Sequence, residues 1–272
     1  MSSKNRKMDI FIGPCVLESE QLAMDIAGRL VEDLNGIKSK VNLSFKGSFD
    51  KANRSSIDSY RGPGIDKGLQ ILEKVAKTYN LPTITDFHWP EQAMQVASVV
   101  DTLQIPAFLC RQTDMIVAGA EAARKYNCQL KIKKGQFLSP EETGNIVEKA
   151  HTILAKDKIL LTERGTSFGY NNLIVDMSSF QTMKGFGVRA IHDATHCVQR
   201  PGGLGSATGG KREQIKVLAQ AAIAAGADGI FLETHPNPDK ALSDAATSLP
   251  LNEMKGLITK LVTLFEVIDG LD

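Results

Sequence analysis

Residues 130–165 read LKIKKGQFLSPEETGNIVEKAHTILAKDKILLTERG. A short apolar run ending at Gly135 is followed by a helix-like segment over 139–154 and a second apolar run over 159–165. Ser139-Pro140-Glu141-Glu142 has the form of an N-cap with proline at the first helical position, where a missing N–H costs no hydrogen bond. The unit is strand, helix, strand.

The rest of the chain repeats this unit. Comparable runs occupy 8–13 (MDIFIG), 41–47 (VNLSFKG), 83–87 (TITDF), 99–105 (VVDTLQI), 188–196 (VRAIHDATH) and 228–235 (DGIFLETH), which with the first two makes eight. Helix-like segments lie at 19–34, 63–79, 90–98, 114–126 and 211–226, the last ended by Gly226 in the place of a C-cap glycine. Eight strands alternating with helices predict an α/β fold, a single-domain (β/α)8 TIM barrel over 1–272. A doubly wound open sheet is the competing arrangement. It usually carries a glycine fingerprint after its first strand, and Gly13-Pro14-Cys15 is not one.

The composition, 272 residues that are 42% hydrophobic with a formal charge of +1, fits one large α/β domain or two small ones. A near-neutral balance argues against a general nucleic-acid binder, although a local basic cluster for small anions fits within it. No run approaches the ~20 apolar residues of a membrane span and the N-terminal stretch has no apolar core before a cleavage site, so no membrane partner and a cytoplasmic location are expected. The four cysteines, Cys15, Cys110, Cys128 and Cys197, have no CxxC spacing and no small-scaffold density.

Catalytic groups of a barrel come from the C-terminal ends of its strands. Those ends carry Cys15, Lys46, Asp86 with His88, Gln104, Lys133, Arg164, His196 and Glu233. Lys46, Lys133 and Arg164, with Lys51, Arg54 and Arg111 in nearby loops, form a candidate cationic basin suited to a phosphate and a carboxylate. Each alone is also an ordinary solvated charge. Cys15, His196 and Glu233 offer thiolate, imidazole and carboxylate, a plausible set for Zn²⁺, Fe²⁺ or Mn²⁺. Cys15 taken singly reads equally as buried packing. His192 shares the strand parity of His196, so periodicity does not choose between them.

Gly205-Ser-Ala-Thr-Gly-Gly210-Lys211-Arg212 nearly matches a nucleotide-binding P-loop. Arg212 replaces the Ser or Thr that would bind Mg²⁺, and the feeding strand ends about nine residues too early. A glycine-rich loop here reads better as a lid or as part of a phosphate site.

Taken together, GPCVLES (13–19), FKGSFDKANRSS (45–56), TDFH (85–88), QIPAFLCRQTD (104–114), KKGQF (133–137), ERGTSFGYNNLIVDM (163–177), DATHCVQRPGG (193–203) and FLETHPNPDKALSDAATSLPL (231–251) resemble the 3-deoxy-D-manno-octulosonate 8-phosphate (KDO8P) synthase family over nearly the whole chain. The resemblance implies a (β/α)8 barrel, typically a homotetramer. The implied reaction condenses phosphoenolpyruvate with D-arabinose 5-phosphate and water, releasing phosphate, for lipopolysaccharide inner-core synthesis. It implies that Lys46, Lys51, Lys133 and Arg164 grip phosphoenolpyruvate, with Gln104 and the Ala107 backbone nearby. Arabinose 5-phosphate would lie along Lys51, Asn53, Arg54 and Ser55, with Asp86 on its hydroxyls. Arg111 would reach the sugar phosphate of a neighbouring subunit, and His196 would serve both metal and phosphate. Lys51, Lys133, His196 and Asp86 are the implied catalytic groups.

The resembling family has a metal-independent class with Asn at the position of Cys15 and a metal-dependent class with Cys. This chain carries Cys, together with His196, Glu233 and Asp244, so one divalent ion (zinc, iron or manganese) per subunit is implied on those four residues. Ala245 stands where many relatives have Gly after the Asp, and Thr208 where relatives often have Ser. Three other readings stay open: the sister enzyme acting on erythrose 4-phosphate, a Schiff-base aldolase with Lys133 as nucleophile, and a barrel kept only for binding or scaffolding.

Overall fold

The computed structural model describes residues 6–54, 56–200 and 209–271. The eight expected strands are present: β1 Met8–Gly13, β2 Val41–Lys46, β3 Thr83–Asp86, β4 Thr102–Ile105, β5 Gln129–Lys133, β6 Ile159–Glu163, β7 Arg189–Asp193 and β8 Gly229–His235. Each pairs in parallel with its sequence neighbour, and β8 returns to β1, with Phe231 beside Phe11, to close the barrel. Closure needs a close approach at the mouth. A Cβ on Gly13 would stand 1.9 Å from the Lys46 carbonyl oxygen, so only glycine fits there.

Helices α1 Glu20–Leu34, α2 Ile65–Tyr79, α3 Ala93–Ala97, α4 Thr113–Tyr126, α5 Thr143–His151, α6 Ser179–Gly185, α7 Ile215–Ala224 and α8 Met254–Asp269 occur in the intervals and after the last strand. Ser19 caps α1 by accepting the Leu22 N–H at 3.1 Å, a contact worth about 1 kcal/mol. Gly226 does sit past α7 at φ +90°. Two expectations shift. The segment 139–154 keeps the reciprocal Ser139–Glu142 capping bonds, but regular helix begins only at Thr143. The run at 99–105 becomes strand only from Thr102, because Val99 and Val100 close the turn after α3.

Strand alternation divides the core in two. Outward residues such as Ile10, Phe45, Leu103, Ile132, Leu161 and Leu232 pack under the helices. Inward, Phe11, Ile84, Leu160, Ile191 and Phe231 form a separate apolar layer across the middle of the barrel. Below that layer, Arg189 pairs with Asp9 and Asn42 donates to it at 2.9 Å. Above it the inward positions are charged or polar: Lys46, Asp86, Gln104, Lys133, Asp193 and Glu233. The last inward residue of almost every strand is thus a functional group facing the same mouth.

Candidate active site

The mouth opens into a cavity of about 540 Å³. Lys46, Lys51, Asp86, Gln104, Lys133 and Arg164 line it. Of the other expected residues, Asn53, Arg54, Ala107, His196, Glu233 and Asp244 also lie on its wall. Lys46 and Asp244, 198 positions apart in sequence, meet here because the barrel brings all strand ends to one rim.

Lys46 Nζ is 2.7 Å from Glu233 Oε1 and donates to the Cys15 and Pro14 carbonyls at 2.6 and 3.2 Å. Its three donors are therefore engaged within the protein, fastening Glu233 to the ends of β1 and β2. Lys133 Nζ is 2.6 Å from Asp193 Oδ2. Burial lowers the Lys133 pKa, with the Asp193 carboxylate opposing. Arg164 donates to the His196 carbonyl and to Gln199, both at 2.8 Å. Lys51 has burial working against its charge, but the carboxylates of Glu233, Asp86 and Asp244 help outweigh that and hold its pKa well above the usual value. Asp86 is likewise opposed by burial, yet a 3.1 Å contact with His88 keeps its carboxyl below the ordinary carboxylate range.

His196 lies beyond the strand, not on it. Its N–H donates to Asp193 Oδ1 at 3.0 Å, a turn that swings the imidazole back over the barrel. Nδ1 sits 2.8 Å from Asp193 Oδ2, while Nε2 faces Glu233 at 3.4 Å and Asp244 at 3.5 Å. His192, left open by parity, points the other way, edge-on against Phe180. Burial pushes its pKa down to about 4. The choice between the two histidines thus falls on His196.

Cys15 Sγ, a Glu233 carboxylate oxygen and an Asp244 carboxylate oxygen all lie within 4.8 Å of one another. The thiol donates to Asp244 Oδ2 at 3.1 Å. Burial, with the charges of Asp244 and Glu233, raises the thiol pKa. Glu233 Oε2 is buried with no hydrogen-bond partner among the described residues. Two carboxylates, a thiol and an imidazole with an orphaned buried oxygen among them is a set that fits a divalent cation. Ala245, the departure in this loop, is harmless. The left-handed backbone falls on Asp244 itself, at φ 49°, and aspartate tolerates that region.

Arg111 does not reach this cavity. It is exposed, with Glu142 3.5 Å away. Ser55 and the 201–208 part of the glycine-rich loop lie outside the described residues. Arg54, expected at the sugar phosphate, donates to Ser243 Oγ at 2.6 Å and to the Leu242 carbonyl. Asp193 was not singled out from the sequence, although it anchors both Lys133 and His196. Its signal in the sequence is its place as the last inward residue of β7, concealed because the run 188–196 extends past the strand to His196. Lys131, buried below the mouth, lies inside β5 rather than at its end and so carries no strand-end signal. Cys110, Cys128 and Cys197 are buried free thiols that are not part of the Cys15–Glu233–Asp244 cluster.

Fold and site together define a barrel enzyme whose mouth holds converging cations beside a cation-ready thiol–carboxylate cluster. The chain belongs to the DAHP synthetase I family, whose profile matches residues 1–269. It is 52% identical over 256 residues to the 2-dehydro-3-deoxyphosphooctonate aldolase of Francisella tularensis subsp. holarctica, covering 94% of this chain and 90% of that one. Proteins of the same name from Verminephrobacter eiseniae and Nitratidesulfovibrio vulgaris are each 50% identical, over 95% of this chain and 90% and 92% of theirs. The expected family and barrel are both borne out.

Proposed function

We propose that this chain condenses phosphoenolpyruvate with D-arabinose 5-phosphate and water, giving 3-deoxy-D-manno-octulosonate 8-phosphate and inorganic phosphate. The observation carrying this reading is the convergence of Lys51, Lys133 and Arg164 on one cavity flanked by Cys15, His196, Glu233 and Asp244. The names of the relatives point to the same product class.

The residues divide the work. Lys133 and Arg164, both buried, supply positive potential for the phosphate and carboxylate of phosphoenolpyruvate. Lys51, held protonated by its anionic neighbours, donates toward the aldehyde oxygen of the sugar as C3 of phosphoenolpyruvate attacks the aldehyde carbon. Positive charge develops at C2, water adds there, and phosphate departs with its bridging oxygen as the C–O bond breaks. Asp86 Oδ1, buried without a hydrogen-bond partner among the described residues, accepts a sugar hydroxyl. Arg54, beside Asn53 and Ser55, lies toward the sugar phosphate. Cys15, His196, Glu233 and Asp244 would hold one divalent ion, which supplies Lewis-acid polarisation of a bound oxygen.

Arg111, exposed beside Glu142 and outside its own cavity, would complete the site of a neighbouring copy in a homotetramer. A cytosolic setting and a place in lipopolysaccharide inner-core synthesis follow from the same reading. Among the described residues no helix is long and apolar enough to cross a membrane.

The test is phosphoenolpyruvate consumption with arabinose 5-phosphate and, separately, with erythrose 4-phosphate. Turnover confined to the pentose phosphate supports the reading. A preference for erythrose 4-phosphate transfers the chain to the sister activity.

A further inference from the structure

Lys131 occupies an unusual place. It is fully buried on the inward side of β5, two residues below Lys133, and does not line the cavity. Its Nζ lies 4.6 Å from the centroid of the Phe231 ring and 5.4 Å from that of Phe11. Lys133 and Lys46 approach the same Phe231 ring at 4.0 and 5.6 Å, so three lysines share one aromatic side chain. Lys46 and Lys133 have carboxylate partners, Glu233 and Asp193. Lys131 has none among the described residues. Its hydrogen bond runs from Nζ to Gln104 Oε1 at 3.0 Å.

That bond has a directional consequence. An ammonium has donors only, so the carboxamide it meets must present its oxygen. With Oε1 held from below, the Gln104 amino group is the end left to the cavity that Gln104 lines, and Nε2 has no hydrogen-bond partner among the described residues. Gln104 therefore enters the site as a donor rather than an acceptor. An anion above it favours the ammonium form of Lys131, against burial and the nearby Lys133 charge that lower its pKa. Substrate and lysine then reinforce one orientation of the amide.

Resting on the proposed phosphoenolpyruvate site, we propose that Lys131 is a positioning residue that locks the Gln104 amide with its NH₂ toward the anionic enol phosphate. Lys131 does not touch the substrate. It removes the flipped rotamer, which would aim an oxygen at an anion.

The experiment is a double-mutant cycle of Lys131→Met and Gln104→Ala, read by calorimetric titration of phosphoenolpyruvate and by steady-state kinetics. Lys131→Met is expected to weaken phosphoenolpyruvate binding about tenfold and to raise its KM similarly, with kcat and the pentose phosphate KM within about threefold. In the Gln104→Ala background the same change has no further effect on binding. Lys131→Gln, which keeps a donor, stays within about threefold of the parent. Lys131→Leu replaces Lys131→Met if the latter does not fold. Equal, additive losses in both backgrounds, or a tenfold loss in Lys131→Gln, overturn the positioning role. Absence of phosphoenolpyruvate binding to the unaltered protein instead overturns the site reading on which it rests.

Discussion

Lys133 Nζ and Asp193 Oδ2 are 2.6 Å apart, and the same oxygen lies 2.8 Å from His196 Nδ1. One carboxylate at the end of β7 therefore serves both halves of the site. It pairs the cation on β5 and sets the tilt of the imidazole whose Nε2 faces Glu233 and Asp244.

Asp193→Asn tests this shared role. Removing one member of a buried pair leaves Lys133 uncompensated, which costs about 3–5 kcal/mol of stability. The loss of the carboxylate behind His196 is expected to weaken divalent-metal affinity about 10–100-fold. Denaturant unfolding and metal titration measure the two effects separately. Unchanged values in both would make the pair incidental.

Chelation followed by resupply of Zn²⁺, Mn²⁺ or Fe²⁺ tests the cation cluster. Activity is expected to fall at least about tenfold on stripping and to recover with metal. Cys15→Ser should weaken retention of the ion. Because the thiol is held above its ordinary pKa and must lose its proton to ligate, affinity should rise with pH in the parent. That pH dependence should be shallower in Cys15→Ser. Full activity after verified stripping would return Cys15 to buried packing.

Lys133 also decides between condensation and Schiff-base chemistry. Its pKa is lowered by burial, but Asp193 stabilises the charged form and disfavours the free amine a nucleophile needs. Borohydride added with phosphoenolpyruvate and arabinose 5-phosphate should leave its mass unaltered. Lys133→Met should lower kcat/KM about 10²–10³-fold through lost electrostatic stabilisation. A reduced adduct on Lys133 would establish the aldolase mechanism instead.

His192 contributes to acid sensitivity. Its pKa falls from 6.5 to about 4 on folding because burial disfavours the imidazolium. The stability this represents is fully present above about pH 6.5 and is lost as pH falls through about 4, where the folded state must take up the proton. The loss amounts to about 3 kcal/mol. Urea unfolding of His192→Leu between pH 7 and 4 should show a correspondingly flatter profile. An identical slope in parent and variant would assign the acid sensitivity elsewhere.

Much of this molecule was legible along the chain. The eight apolar runs became eight strands because period-two alternation and turn glycines are local properties. Cys15, Asp86, Glu233 and the cations at strand ends could be named because a barrel turns strand ends into one rim. The metal-class cysteine and Asp244 came from motif resemblance, Asp244 being in a loop that no periodicity marks.

Contact across the barrel was not legible. No local pattern states that Asp193 meets Lys133 across 60 positions, that His192 faces a helix while His196 faces the mouth, or that Lys46 spends its donors on Glu233 and two carbonyls. Nor does any pattern place Arg111 outside the cavity of its own chain. The sequence by itself determined the alternation, hence the barrel and the residue types gathered at its rim. Only the tertiary structure decided the pairings, because they depend on strand register, on where β7 stops, and on the turn at Asp193 that breaks the parity beyond it.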